Sequence, residues 1–366
     1  MKPPLIGWHV PSMNERRAGL RYRCLYPMAE LSRQGVAAER FQVERSAHYT
    51  HLVLDAWNLF PSVSDADQVR QLLELVQTQR RLGTRIVVDN CDNQFANMPD
   101  AAWAQACEQL RSLALSADTV LCCSQELAGV MQRQCGLART PTVVEDPIET
   151  EIRYASDRWW RSLLSPGRKR SWWRHLTHRR RLAAERAAGI TPLVWFGAHG
   201  NQFAEGGMLD LLRVVPVLQQ LAQGHRLSLT VISNHAGKFE QHFSRLGFPS
   251  HYLEWDRVTF LDSLRLHEIA LLPMSMNDFT RCKSANRMAL SLYHGLNVVA
   301  DPLPAYRRFA GCSQQDDWLG GLQAYLQDAA LRRSHRQSGR DLAWQAFSPA
   351  RIAQQWRQAL QLPEPS

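Results

Sequence analysis

Lys283-Ser284-Ala285-Asn286-Arg287 puts two cations and two hydroxyl or amide side chains where a polar loop turns into a helix. That helix closes at His294-Gly295, and Gly295-Leu296-Asn297-Val298-Val299-Ala300 carries the chain into a buried strand. Helix starts favour anions, because their first N–H groups are unpaired and the macrodipole is positive there. Lys283 and Arg287, four residues apart, are expected on one helix face, where with Ser284 and Asn286 they would grip a phosphate or diphosphate and its ribose. The alternative is a solvated charged face.

Three further groups have residue types suited to chemistry. Gly197-Ala198-His199-Gly200-Asn201 follows a buried strand and precedes Gly206-Gly207. Such glycines let backbone N–H groups approach a phosphate or sugar, or simply make a strand-to-helix turn. Asp89-Asn90-Cys91-Asp92-Asn93 sets two carboxylates at a strand end. Asp89 and Asp92 are candidates for a general base or for orienting an acceptor hydroxyl, against ordinary loop capping. His9 stands alone at the end of an apolar strand, either as a base or as a structural histidine. Arg21 and Arg23, near a helix start after Gly19, would meet an anionic acceptor or face solvent. Asn234 and Trp255, at later strand ends, are candidates to line a base pocket.

The elements that must position these residues alternate along the chain. Strands are expected near residues 4–10, 51–55, 85–89, 119–123 and 141–144, with helices over 65–82, 100–115 and 124–131 between them. The pattern restarts at Pro192, with strands at 192–197, 227–232, 251–253 and 268–273 and helices over 206–222, 236–246 and 259–266. Strands separated by helices mean parallel βαβ units, whose ligands sit at the carboxyl ends of the strands. The expected organisation is an N-terminal Rossmann-like acceptor domain (1–150), a basic Trp-rich linker or insertion (151–190), a C-terminal Rossmann-like donor domain (191–340) and a closing helix (341–366).

Composition narrows the class. A chain of 366 residues with 45% hydrophobic and 21% charged residues can build two cores. No apolar run reaches the roughly 20 residues that span a bilayer, and the first residues lack a signal-peptide core. The eight cysteines include no C-x2-C pair, so buried free thiols and a cytoplasmic location are expected. The net charge of +9 is local: residues 158–181 hold nine Lys or Arg and no acid, leaving 34 basic against 34 acidic residues elsewhere. With Trp159-Trp160 and Trp172-Trp173, this segment suits an anionic membrane surface. A flexible insertion is the second reading. Nucleic acid is the third, and is not expected because the body is neutral and carries no nucleic-acid motif.

Taken together, these residues resemble the GT-B glycosyltransferases, near the glycosyltransferase group 1 (family 4-like) branch. The resemblance rests on Ala117-Asp118-Thr119-Val120-Leu121-Cys122-Cys123-Ser124, on Val144-Glu145-Asp146-Pro147-Ile148, on Glu268 to Pro273 with Lys283 to Arg287 and Gly295 to Ala300, and on Pro304-Ala305-Tyr306-Arg307. It implies an α/β fold of two Rossmann-like domains facing a central cleft, with the C-terminal helix crossing back to the first domain. It implies a nucleotide-sugar substrate in the C-terminal half, bound by Gly197, His199, Gly200, Asn201, Asn234, Trp255, Lys283, Ser284, Asn286 and Arg287. The acceptor, a cell-surface glycan or lipid-linked molecule, would meet Gly19, Arg21 and Arg23, with His9, Asp89 and Asp92 as catalytic candidates. No cofactor and no metal are expected, and the enzyme would lie on the inner face of the cell membrane. The chain departs from the family at its paired glutamates, which would fall on Cys282 and Leu290. It also lacks the usual Arg/Lys pair after the first C-terminal strand; His199 and Glu205 stand near that place. The departures motivate a second reading, a non-catalytic glycan-binding or scaffold protein of the same fold.

Overall fold

The structure, a computed structural model, describes residues 3–10, 13–150, 166–200 and 206–363. Asn201, Glu205 and the segment 158–165 with Trp159 and Trp160 lie outside the described residues. The chain divides into two compact units. Unit 1 comprises Met1–Pro147, Asn277–Ala285 and Gln345–Ser366; unit 2 comprises Ile148–Met276 and Asn286–Trp344.

Unit 1 is built on a six-stranded parallel sheet of order β2-β1-β3-β4-β5-β6. Its strands are β1 (Leu5–His9), β2 (Ala37–Arg40), β3 (His51–Asp55), β4 (Arg85–Asn90), β5 (Thr119–Cys122) and β6 (Thr142–Val143). The central strands are continuous apolar runs because helices cover both faces of the sheet. Ile86, Val87 and Val88 of β4 are all buried. Register is fixed by pairs such as Trp8 with Val53 and Leu54 with Val88. The edge strand β2 has no apolar core and escapes a reading based on hydrophobicity alone.

The helices of unit 1 are α1 (Tyr26–Arg33), α2 (Ala66–Arg81), α3 (Ala101–Ser116) and α4 (Gln125–Cys135). Capping decides their limits. Asp65 and Gln68 form a reciprocal capping box at the start of α2, and Val69, Leu72 and Val76 bury one stripe. Leu82, within the expected span 65–82, lies past the helix and is exposed. Ser124 caps α4 through the Leu127 amide, and Gly136, at φ +65°, ends it four residues beyond the expected limit. Leu20–Leu25 is a π-helical stretch leading into α1.

Unit 2 repeats the plan with a parallel sheet of order β12-β11-β10-β7-β8-β9. The strands are β7 (Thr191–Phe196), β8 (Leu227–Ser233), β9 (Ser250–Glu254), β10 (Ile269–Leu272), β11 (Asn297–Ala300) and β12 (Gln314–Gln315). Its core gathers Leu193, Trp195, Leu229, Val231, Leu271 and Val299 against Leu211, Leu218, Phe239 and Phe243.

The helices of unit 2 begin with α5 (Pro166–Ala187), which lies within the stretch expected as a linker or insertion. His175, His178 and Leu182 of α5 are buried, so this basic stretch is part of unit 2 rather than a tether. The expected helix over 206–222 is a 3-10 piece (Gly207–Arg213) followed by α6 (Val215–Leu221), broken near Val214 ahead of Pro216. Next come α7 (Ala236–His242), α8 (Phe260–Leu264), α9 (Asn286–Tyr293), α10 (Trp318–Gln327) and α11 (Ala329–Phe347).

The segment expected as a closing helix carries parts of two helices. Residues 341–366 are not one element, because α11 ends at Phe347 and Pro349 opens α12 (Pro349–Ala359). Residues 345–366 belong to unit 1, where Trp356 of α12 packs 5.6 Å from Trp8.

Candidate functional site

In unit 1, the carboxyl ends of the strands carry a closed network of charges. Arg23 donates from Nε and Nη2 to both oxygens of Asp89, at 3.0 and 2.6 Å. Its Nη1 reaches the Asp146 carboxylate at 3.1 Å and the Val144 carbonyl at 2.5 Å. Burial disfavours the charged guanidinium, but Asp89 and Asp146 more than offset it and push its pKa up. Asp89 is therefore committed to Arg23 and is not a free base. Arg23 is likewise not free for an acceptor; it ties β4 to the segment after β6.

The same commitment overtakes Lys283 and Ser284. The helix α9 starts only at Asn286, so Lys283 does not share a helix face with Arg287. Residues 277–285 belong to unit 1. There Ser124 Oγ donates to the Cys282 carbonyl at 2.7 Å, and Asn93 Nδ2 to the Asp278 carbonyl at 2.8 Å. The Lys283 ammonium pairs with Asp92, and Ser284 Oγ donates to Asp146 at 2.5 Å. The Lys283 ammonium also lies 4.1 Å from the centre of the Phe279 ring.

Around this network stand the remaining candidates of unit 1. Asp92 accepts from Trp57 Nε1 at 3.0 Å as well as from Lys283. His9 Nδ1 lies 3.3 Å from Asn58 Nδ2, and burial, aided by Arg40, lowers its pKa to about 4, so it is neutral at pH 7. Arg21 donates to the Glu15 and Arg16 carbonyls, fastening the loop before the π-helical turn, which is a structural task. Gly19 faces Cys91, with the thiol sulfur 3.8 Å from where a Cβ would stand. Asp55 ends β3. Burial pushes its carboxyl up to about 6, with Asp89 and Asp92 adding to the rise, and it accepts from the Trp57 amide at 3.0 Å.

In unit 2, the loop after β7 and the start of α9 form a different site. Arg287 lies against Trp195 and Phe196, with its guanidinium carbon 5.3 Å from each ring centre. Its Nε and Nη2 are buried and have no hydrogen-bond partner among the described residues. Burial pulls its pKa down. A Cβ at Gly197 would come 3.6 Å from the guanidinium carbon, so the glycine keeps this corner open.

The rest of the loop is held by its own contacts. The His199 amide donates to Asn234 Oδ1 at 3.0 Å, and Lys238 Nζ donates to the His199 carbonyl at 3.2 Å. The His199 Nδ1 is a second buried atom without a partner among the described residues. Gly200 and Gly207 have positive φ, and a Cβ at Gly207 would stand 2.5 Å from the Gly200 nitrogen. Only glycine lets these two backbones meet. Trp255, at the end of β9, donates its amide to the Ser233 carbonyl at 2.7 Å, and its ring lies 6.1 Å from that of Phe260. Asn286 opens α9 beside Arg287.

Two contributors escaped the sequence reading. Lys238 was hidden in a short helix, although its place three residues after the capping His235 is a usable signal. Asp210 was the other: it accepts from the Gly207 amide at 3.1 Å and from Ser275 Oγ at 2.5 Å, holding the glycine turn.

No family model matches the sequence, and no curated protein matches it by sequence. Solved structures do match in fold. HepE of Anabaena, solved with UDP, has a TM-score of 0.62 at 13% identity, over 99% of this chain and 100% of that one. WaaG, a glycosyltransferase involved in lipopolysaccharide biosynthesis, has a TM-score of 0.57 at 11% identity, over 95% and 98%. The UDP-forming trehalose-phosphate synthase of Burkholderia vietnamiensis has a TM-score of 0.54 at 10% identity, over 92% and 79%. The chain has the GT-B glycosyltransferase fold.

Proposed function

We propose that this chain is a glycosyltransferase that moves a sugar from a nucleotide-sugar donor to a glycan or lipid-linked acceptor without a metal ion. The observation that carries the reading is Arg287, a guanidinium with two buried nitrogens that have no hydrogen-bond partner among the described residues, at the carboxyl end of a parallel sheet. Ligands of such sheets bind at that end. An unmatched cation there calls for an anion, and a nucleoside diphosphate is the leaving group of sugar transfer. The fold shared with HepE, solved with UDP, supports the same ligand.

The chemistry follows from charge. As the glycosidic bond of the donor breaks, negative charge grows on the departing diphosphate. Preorganised donors in a site of low dielectric stabilise that charge, and a single one contributes on the order of 100-fold to 1000-fold in rate. Arg287 supplies it, with Lys238 and His199 flanking the glycine turn and Asn234 and Trp255 toward the base. A fixed guanidinium does the work a divalent ion does in other transferases. In unit 1, His9, neutral at pH 7, is the acceptor-side candidate, since Asp92 is engaged by Lys283 and Trp57. Asp89 holds Arg23 in place.

The exposed face of α5 supports attachment to an anionic membrane surface on its cytoplasmic side. Trp172 and Trp173 are 38% and 66% exposed among Arg170, Arg174 and Arg179. Among the described residues, no helix is long and apolar enough to cross a membrane.

A non-catalytic binder is the second reading. Its motivation is that Cys282 and Leu290, which stand where the family has glutamates, are both buried. The test has two parts. UDP, GDP, CMP and ADP are compared for their effect on the melting temperature, and one is expected to raise it. Arg287→Ala is expected to abolish the shift; an unchanged shift refutes the site. Transfer and donor hydrolysis are then measured over a nucleotide-sugar panel, where turnover separates the enzyme from the scaffold.

A further inference from the structure

A second basic site lies in unit 2, at the amino ends of the strands, away from the glycine loop. Arg186, Arg265, Arg332, Arg333 and Arg336 line a cavity of about 400 Å³, with Glu268 as its one carboxylate. Glu268 precedes β10, and Gly295, also in the wall, precedes β11. The three arginines of α11 are brought to one face by their spacing at 332, 333 and 336.

Counting charge around the cavity gives five guanidinium groups against one carboxylate. His267, also in the wall, adds none at neutral pH, because burial lowers its pKa to about 3. Two of the arginines are partly compensated. Arg186 Nε is 3.9 Å from Glu268, and Arg265 donates to Asp262 at 3.3 Å and to His294 Nδ1 at 3.1 Å. Arg332 donates to the Tyr325 carbonyl. Arg332, Arg333 and Arg336 have no acidic partner among the described residues.

Arg336 is the decisive member. Its Nε is buried and has no hydrogen-bond partner among the described residues, and its Cδ lies 3.9 Å from where a Cβ of Gly295 would stand. A buried N–H of a cation without an acceptor is costly, and like charges crowded together repel. Both costs fall when an anion with several oxygens enters. Guanidinium forks match phosphate oxygens in geometry as well as in charge.

We infer that the arginine cavity of unit 2 is a binding site for a phosphate-bearing anion, distinct from the donor site at Arg287. The shared chemistry is a phosphate group with two or more charges, carried by a soluble phosphate ester or diphosphate or by a lipid headgroup. The cavity volume admits a diphosphate with room to spare, and exposed Arg333 keeps its mouth in solvent.

The test uses inorganic diphosphate, titrated by calorimetry at low salt into the full chain carrying Arg287→Ala, so that the donor site is silent. Binding is expected, weakened about tenfold or more by Arg333→Glu and by Arg336→Ala. Arg333 is exposed and packs against no core, so its substitution leaves folding intact and keeps the result readable. Phosphatidylglycerol vesicles are then added. Displacement of diphosphate assigns the site to a lipid headgroup, and lack of displacement assigns it to a soluble phosphate. Either result supports the site. Absence of diphosphate binding in the Arg287→Ala protein, or equal affinity with and without the two further substitutions, overturns it. Failure of the nucleotide shift described for Arg287 leaves this outcome unaffected.

Discussion

At the carboxyl end of the sheet in unit 1, Arg23 is spent on Asp89 and Asp146, and Lys283 on Asp92. At the carboxyl end of the sheet in unit 2, Arg287 lies against two aromatic rings, and its buried Nε and Nη2 have no hydrogen-bond partner among the described residues. The two ends use the same residue types for opposite purposes. A buried charge with its partner in place fixes the backbone around it. A buried charge without one is a cost the fold bears, and it points to a ligand that supplies the missing acceptor.

The comparison breaks most readily at Arg23. Arg23→Ala leaves Asp89 and Asp146 buried without their counter-ion, and the expected loss of stability is about 3–5 kcal/mol. Denaturant unfolding measures it. A loss below about 1 kcal/mol would mean that the network of unit 1 is not the scaffold described here.

Acid sharpens the contrast from the side of unit 2. His178 and His267 lie 5.5 Å apart between α5 and the sheet, and burial lowers their pKa values to about 2 and about 3. The folded values lie below the unfolded value near 6.5. The stability they contribute is therefore present in full above pH 6.5 and is lost as pH falls toward the folded values. Between pH 6.5 and 4.5, the cost of each histidine is expected to steepen toward about 1.4 kcal/mol per pH unit. His267→Gln should flatten the slope of urea stability against pH by that amount; an unchanged slope counts against burial of a neutral ring.

The smallest effect is expected at Arg287 itself, in the absence of ligand. Arg287→Met removes a buried cation whose Nε and Nη2 have no hydrogen-bond partner among the described residues, so stability should hold or rise, by on the order of 1 kcal/mol. A clear fall in melting temperature would show that Arg287, like Arg23, is part of the scaffold.

Much of the fold was legible because parallel sheets leave a strong trace. Apolar runs such as Leu52-Val53-Leu54 and Ile86-Val87-Val88 could only be buried strands, and caps such as Asp65 and Ser124 marked the helices between them. The edge strands β2 and β12 left no such trace, being short and polar. At the candidate site, the sequence drew attention to Arg287 and to the glycines after β7. It grouped Lys283 with Arg287 because spacing alone cannot tell where a helix begins; the extended backbone at Lys283 delays that start to Asn286. It offered Asp89 as a base because a strand-end carboxylate looks the same with and without an arginine sixty-six residues earlier in the chain bonded to it.

The sequence by itself determined the alternation of strand and helix, the two α/β halves and the residue types available at the strand ends, because periodicity and capping are local properties of the chain. Tertiary structure alone decided which charges are neutralised and which are left open. Arg23 and Arg287 are indistinguishable as letters, and Lys283 carries the same charge. What separates them is whether a distant carboxylate is folded into reach, and that depends on contacts between residues far apart in the chain.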